Sequence, residues 1–250
     1  MTSDNIYIRP YRPSDQPQVE KLLFEGFVTS KGSANYVARR RFLLKPPSLI
    51  AYFLIALGVG VGLGPVGGGI RDAWVGPRRT LGTLLLTAGV SLFGAVQYSI
   101  PRAISEYCRE ALASDMRDIE SHYRAPSAFF VAAARRGGVE EEEEVVGYVG
   151  LDYVPEKDPT RAEVRRMIVS ASYRRRGVAK TLIQALVAQA QSLRSNGADE
   201  LRFLDLWLTE FQPAAQRLYE GLGWRVVRTE RIGNALRGAI TRHLRLDLCK

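Results

Sequence analysis

Apolar and polar positions follow three different patterns along this chain. Alternating or β-branched runs predict strands at residues 6–9, 128–134, 145–154, 162–170, 201–208, 224–227 and 239–248. Spacings of three and four predict helices. Val19, Leu22, Leu23 and Phe27 follow a start at Ser14-Asp15; Ile104, Cys108, Leu112, Met116 and Ile119 mark a second helix over 104–123. Val178, Leu182, Ala185, Leu186, Ala190 and Leu193 mark a third, and Ala215, Leu218, Tyr219 and Leu222 a fourth. The remaining pattern has no period: residues 48–70 and 80–100 carry no charge at all. Each run exceeds or matches the roughly 20 apolar residues that cross a bilayer. Residues 71–79 between them are short and contain Pro77, so the two runs predict a helical hairpin. Tyr52, Trp74 and Tyr98 stand near its ends, where aromatic rings favour the membrane interface.

Charge narrows this picture. The chain has 250 residues and a formal net charge of +9, which suits an anionic ligand or an anionic surface. No basic helix with interleaved aromatics supports nucleic-acid binding. Cys108 and Cys249 lack the spacing of a disulfide framework or a zinc site, so no metal is expected. The polar start Met-Thr-Ser-Asp-Asn predicts no secretory signal. Glu106, Arg109, Glu110, Asp115, Arg117 and Asp118 read as the solvated face of the 104–123 helix, and His122 as structural. Gly137, Gly138 and the acidic run 140–144 read as a solvated loop.

The arginines concentrate at one place. Strand 162–170 runs into Tyr-Arg-Arg-Arg-Gly-Val-Ala-Lys, residues 173–180, and a helix runs out. A helix start offers unpaired backbone N–H groups and the positive end of its dipole. Gly177 lets an anion approach that backbone, and Arg174, Arg175, Arg176 and Lys180 add charge. The combination predicts a pyrophosphate site. The spacings of the Walker loop and of the dinucleotide fingerprint are both absent.

Arg174-x-x-Gly177-x-Ala179 resembles the Gln/Arg-x-x-Gly-x-Gly/Ala motif of the GNAT superfamily of acetyl-coenzyme A-dependent N-acetyltransferases. Two further segments carry the likeness: Glu-Val-Arg-Arg-Met-Ile-Val at 163–169, and Gln-Pro-Ala-Ala-Gln-Arg-Leu-Tyr-Glu-Gly-Leu-Gly-Trp at 212–224. The second resembles Asn-x-x-Ala-x-x-Leu-Tyr-x-x-x-Gly-Phe/Trp, with Gln212 in place of the usual Asn. The charge-free hairpin stands where the N-acetyltransferase 8 (camello-like) group carries a hydrophobic segment. The resemblance implies one GNAT-type α/β domain over 1–250. Its sheet would be mixed and mostly antiparallel, with flanking helices and an inserted membrane hairpin over 48–100.

It also implies roles. Backbone groups of Met167, Ile168 and Val169 would hold the pantetheine and acetyl group. Those of Arg174, Arg175, Arg176, Gly177, Val178, Ala179 and Lys180 would cradle the pyrophosphate of acetyl-coenzyme A, and Gln212 would touch the cofactor. Tyr219 would be the proton donor to the thiolate, and Glu163 the general base. The expected partners are an amine substrate and a lipid membrane, of the endoplasmic reticulum or another internal membrane, with the catalytic part cytosolic. Substrates known in the group are cysteine S-conjugates and protein lysines. The competing reading is a non-catalytic membrane scaffold that binds acyl-coenzyme A. No feature of the sequence fixes an oligomeric state.

Overall fold

The computed structural model describes residues 5–63, 75–135, 143–233 and 238–249. Pro65, Trp74, residues 71–74 of the hairpin link, Gly137, Gly138 and the first part of the acidic run lie outside the described residues. The chain divides into two compact units, one of residues 1–34 and 105–250 and the other of residues 35–104.

The larger unit is built on seven strands: β1 (Asn5–Pro10), β2 (Ala128–Arg135), β3 (Glu143–Asp152), β4 (Arg161–Val169), β5 (Phe203–Thr209), β6 (Arg225–Ile232) and β7 (Ala239–Asp247). They form one sheet in the order β1-β2-β3-β4-β5-β7-β6. Every neighbouring pair is antiparallel except β4 and β5. That exception follows from the helix joining them, because a crossover returns the chain in the same direction. The fold is thus the expected mixed, mostly antiparallel sheet with flanking helices.

Apolar side chains cover the sheet on both faces. On one face α6 (Val178–Ser195) buries Val178, Leu182, Ile183, Leu186 and Ala190 against β2 to β5. On the other, α1 (Gln16–Phe24) and the segment around Met116 and Ile119 bury Leu22, Leu23 and Cys108 against Val131, Val145 and Tyr148. β3, covered on both sides, is therefore buried without interruption from Val145 to Leu151. β6 at the edge is exposed at nearly every position. Its pairing with β7 extends it to Ile232, well past the 224–227 pattern.

The smaller unit contains α2 (Ala34–Phe42), α3 (Pro46–Leu63) and the first part of α4 (Val75–Ala113). α2, which holds Arg39, Arg40 and Arg41, has no counterpart in the apolar pattern. Both α3 and α4 are long and apolar enough to cross a membrane. At 18 residues α3 reaches about 27 Å. Leu49, Phe53, Leu84 and Tyr98 are exposed along these helices, as lipid-facing side chains would be. The two helices meet through glycine. A Cβ on Gly58 would lie 2.6 Å from Leu86 N, and one on Gly89 would lie 2.8 Å from Ala51 O. Small residues of this kind let membrane helices approach closely without a side chain between them.

Two expectations need correction. The helix that carries the second apolar run does not end with it at residue 100: α4 is continuous for 39 residues, through Pro101 to Ala113. Nor is 104–123 one separate amphipathic helix. Its first half is the end of α4, the chain turns at Ser114–Arg117, and only α5 (Ile119–His122) remains helical. The apolar spacing survives because Cys108, Ala111, Met116 and Ile119 all fill the same core, not because one helix carries them.

Candidate active site

β4 opens the site by leaving its neighbour. It pairs with β5 only from Arg161↔Phe203 to Glu163↔Asp205. Beyond Glu163 no further pairing joins them among the described residues, so backbone groups of β4 face a cleft. On its other edge β4 keeps β3, but with a shift: Arg165 stands opposite Gly150, and Ile168 opposite Tyr148. Arg166 and Met167 therefore share the single partner position of Val149, which makes a β-bulge. Arg166 adopts a left-handed φ of 57°. For a residue with a side chain this costs roughly 1–2 kcal/mol.

The bulge reverses the parity of the strand. Ala162 and Val164 pack into the core under α6 before it; Met167 and Val169 do so after it. Ile168 is turned to the opposite core, beside Tyr148.

The basic turn lies where β4 ends. Gly177 is the N-cap of α6 with φ 86°, a conformation a side chain would strain. A Cβ there would meet nothing within 4 Å, so the strain comes from the backbone and the space above is open. No side chain caps this helix start, and Thr181 N is the first amide to bond Gly177 O, at 3.1 Å. The preceding N–H groups are thus aimed outward.

The arginines around this turn do not act alike. Arg174 donates to Lys31 O (2.9 Å), Ser30 Oγ (3.3 Å) and Val169 O (3.3 Å), so its guanidinium ties the chain after α1 to the end of β4. Arg176 lies over the Tyr173 ring, 5.0 Å from its centroid. Arg175 and Lys180 are exposed.

The candidate catalytic residues come from two elements. Tyr219 lies on α7 (Pro213–Gly221), buried edge-on against Trp224 at 5.3 Å. Burial alone raises its pKa, so it is a neutral phenol at pH 7. Glu163 is half-buried on β4, 3.6 Å from Arg165. Burial raises its pKa, Arg165 opposes the rise, and the carboxylate of Asp152 adds to it. Gln212, the N-cap of α7, turns its Oε1 back to accept from Thr209 N (3.1 Å) and Thr209 Oγ1 (3.2 Å). Its amide NH2 is the part left to donate to a ligand.

Two clusters escaped the sequence reading. Asp205 on β5 pairs in register with Glu163 and is held bidentately by Arg245 at 2.7 and 2.8 Å. On the same face Trp207, 45% exposed, stacks on His243 with centroids 4.6 Å apart. The His243 Nε2 lies 3.2 Å from Asp205 Oδ2 without hydrogen-bond alignment. Glu163 and Trp207 thus share one face of the sheet at the mouth of the cleft. The second cluster centres on Asp115, whose side chain is only 2% exposed rather than on a solvated face. It joins Arg166 and Tyr123, and Arg166 also reaches Tyr107. The available signal was the Arg165-Arg166 pair, which breaks the alternation of β4 between Val164 and Met167. Among the described residues no group of His, Cys, Asp and Glu could hold a metal.

Comparison with known proteins agrees with this fold. The pattern of the Acetyltransferase (GNAT) family matches residues 98–224. N-acetyltransferase 8 of Homo sapiens is 32% identical over 227 residues, 88% of this chain and 84% of that protein. N-acetylaspartate synthetase of Xenopus tropicalis is 27% identical over 231 residues, 91% of this chain and 72% of that protein. Among solved structures, an N-acetyltransferase from Staphylococcus aureus Mu50 covers 98% of this chain and 99% of its own, with a TM-score of 0.51 at 16% identity. NAA60 of Arabidopsis thaliana, solved in complex with acetyl-CoA, covers 98% and 100%, with a TM-score of 0.50 at 13% identity. At such identities these two structures speak for the fold.

Proposed function

Since the chain belongs to the Acetyltransferase (GNAT) family and is an acetyl-coenzyme A-dependent acetyltransferase, we propose that it transfers acetyl to a primary amine at a membrane. The observation that carries this is the uncapped start of α6 at Gly177, set at the end of a strand that has parted from its neighbour. A parted strand offers backbone to an extended pantetheine, and an open helix start offers N–H groups to its pyrophosphate.

In this reading Met167, Ile168 and Val169 line the pantetheine and acetyl group. The backbone from Arg174 to Lys180 receives the diphosphate, and the Gln212 amide NH2 adds one contact. The amine approaches on the face of Glu163 and Trp207. Its nitrogen attacks the thioester carbonyl, the C–N bond forms and the C–S bond breaks. Glu163 takes the proton lost by the amine, directly or through water. Tyr219 supplies a proton to the leaving thiolate, so the products are the acetamide and free coenzyme A.

The acceptor is a small-molecule amine, a cysteine S-conjugate or a lysine. An amino acid such as aspartate joins that group because several relatives are named for N-acetylaspartate. The two apolar helices serve as the anchor, in the endoplasmic reticulum or another internal membrane. Arg39, Arg40, Arg41, Lys45 and Arg102 flank one side of the hairpin, against Arg71, Arg78 and Arg79 with Asp72 on the other. That excess favours a cytosolic catalytic unit.

Thiol release from acetyl-coenzyme A, measured with detergent-solubilised protein against a panel of these amines, tests the reading. Release that requires a particular amine supports it. Tight acetyl-coenzyme A binding with no release against any amine would favour the scaffold instead.

A further inference from the structure

The strained residue of the bulge is held from an element outside the sheet. Arg166 donates to Asp115 through Nη2 (2.5 Å) and Nε (2.8 Å), a bidentate pair, and through Nη1 to Tyr107 Oη (2.8 Å). Tyr123 Oη donates to the same carboxylate at 2.7 Å. Both charged side chains are sealed from water, 8% and 2% exposed. Tyr123 in turn packs against β3: a Cβ on Gly150 would lie 2.6 Å from its ring. So the partner strand of the bulge and the carboxylate that holds the bulge are braced by one tyrosine. Asp115 stands in the turn that follows α4, and Tyr107 is on α4 itself.

Geometry rather than charge makes this arrangement more than a buried ion pair. A strand can carry an arginine inward without a bulge, and it can carry a bulge without a left-handed arginine. Here the two coincide. The guanidinium fork fixes the plane of its own side chain, and it belongs to the residue whose left-handed φ and bulged register set how the chain enters Met167. Met167 is the first residue of the stretch assigned to the acetyl group. We propose that Arg166 and Asp115 are positioning residues: their ion pair, with Tyr107 and Tyr123, sets the bulge so that the β4 backbone polarises the thioester carbonyl. This rests on the acetyl-transfer reading above. Neither side chain touches the reacting atoms; both act through the peptide between Arg166 and Met167.

The test uses full-length protein in detergent with Asp115→Asn, Arg166→Gly, the double variant, and the milder Tyr107→Phe and Tyr123→Phe. Arg166→Gly is informative because glycine accepts the left-handed φ freely while losing the anchor. Steady-state kinetics are read beside the infrared carbonyl stretch of bound acetyl-coenzyme A labelled with carbon-13 at the thioester carbon. The expected result is a fall in kcat of about 10- to 100-fold for Asp115→Asn and Arg166→Gly, with the acetyl-coenzyme A KM within about threefold. The bound carbonyl stretch should move back toward its value in water. The double variant should be no worse than the poorer single one, because both remove the same constraint.

Should Asp115→Asn fail to fold, the tyrosine variants decide. Each removes one hydroxyl and should lower kcat about 3- to 10-fold with a smaller shift of the stretch. Unchanged kcat and an unchanged stretch in both phenylalanine variants and in Arg166→Gly would overturn the proposal. So would loss of acetyl-coenzyme A binding in step with thermal unfolding, which is the mark of a purely structural pair. A wild-type protein that neither binds acetyl-coenzyme A nor releases thiol would instead sink the acetyl-transfer reading itself.

Discussion

Helices α6 and α7 each follow a strand of the sheet, and they begin in opposite ways. α6 starts at a glycine in a left-handed conformation, with no side-chain cap and open space above it. α7 starts at Gln212 with Pro213 as its first residue, and the Gln212 side-chain oxygen is spent on Thr209. Proline removes an N–H that an anion could have used. The difference sets the two starts apart: one is open, the other closed by its own side chain and proline. On the proposed reading the open start takes the phosphates, while α7 presents Tyr219 from its interior. The proposal thus assigns binding and chemistry to different helices, and substitutions should separate them.

The largest effect expected is on chemistry. Tyr219→Phe keeps the ring and its contact with Trp224 but removes the phenolic proton. General acid catalysis contributes about 10²–10⁴-fold, so kcat should fall by that order with the acetyl-coenzyme A KM little changed. An intact kcat across the pH range would make Tyr219 a core residue and leave the thiolate to water. Next comes binding. Gly177→Asp adds a like charge where the diphosphate would sit and forces a side chain into φ 86°. The acetyl-coenzyme A KM should rise by roughly 10- to 100-fold, about 1.4–2.8 kcal/mol, while kcat at saturation stays closer to wild type. Equal losses of kcat in the two variants would erase the contrast between the helices.

How legible this was in the sequence depends on whether the causes were local. The Gly177 turn could be read because a strand period stops and a helical period starts on either side of it. Both periods are properties of neighbouring residues. The parallel pairing of β4 and β5 could be read from the helix that must join them. The bulge could not: Arg165 and Arg166 interrupt the apolar positions between Val164 and Met167, and only the register against β3 shows that the strand flips there. Asp115 could not either. Its partner Arg166 is 51 residues away, and a carboxylate amid charged neighbours looks solvated until the fold buries it. The same holds for α2, whose two buried residues, Ala38 and Phe42, are too few to show above the arginines. The glycines of the first apolar run look like helix breakers in sequence, yet Gly58 is where α4 comes closest.

A smaller effect tests the base. Burial raises the pKa of Glu163 above that of an ordinary carboxylate. As pH falls through that raised value, the base protonates and wild-type activity should decline earlier than for a solvated glutamate. Glu163→Gln should cost about tenfold at pH values above that raised pKa but still below the amine's own pKa, and less both as pH rises further and as it falls to where wild-type Glu163 is itself protonated. The linkage has a definite sign. A carboxylate with a raised folded pKa weakens the fold once ionised, above that pKa. Glu163→Gln should therefore hold or raise Tm at pH 7 while lowering activity. A parallel loss of Tm and activity would mean that Glu163 supports β4 rather than the reaction.

The smallest effect returns to the closed helix start. Gln212→Ala removes two hydrogen bonds to Thr209 and whatever contact the amide NH2 makes with the cofactor. A neutral hydrogen bond is worth about 0.5–1.5 kcal/mol, so Tm should drop by about 2–4 °C per kcal/mol lost in a chain of this size. The acetyl-coenzyme A KM should rise only about two- to tenfold by the same arithmetic. Gln212→Asn sharpens the result. A side chain one methylene shorter releases Thr209 but keeps an amide at the position where the GNAT motif has asparagine. If Asn restores or improves the KM while Tm stays low, the amide reaches the cofactor and its hold on Thr209 is separate. If both variants leave the KM unchanged and lower only Tm, the start of α7 takes no part in binding, and the contrast with α6 becomes complete.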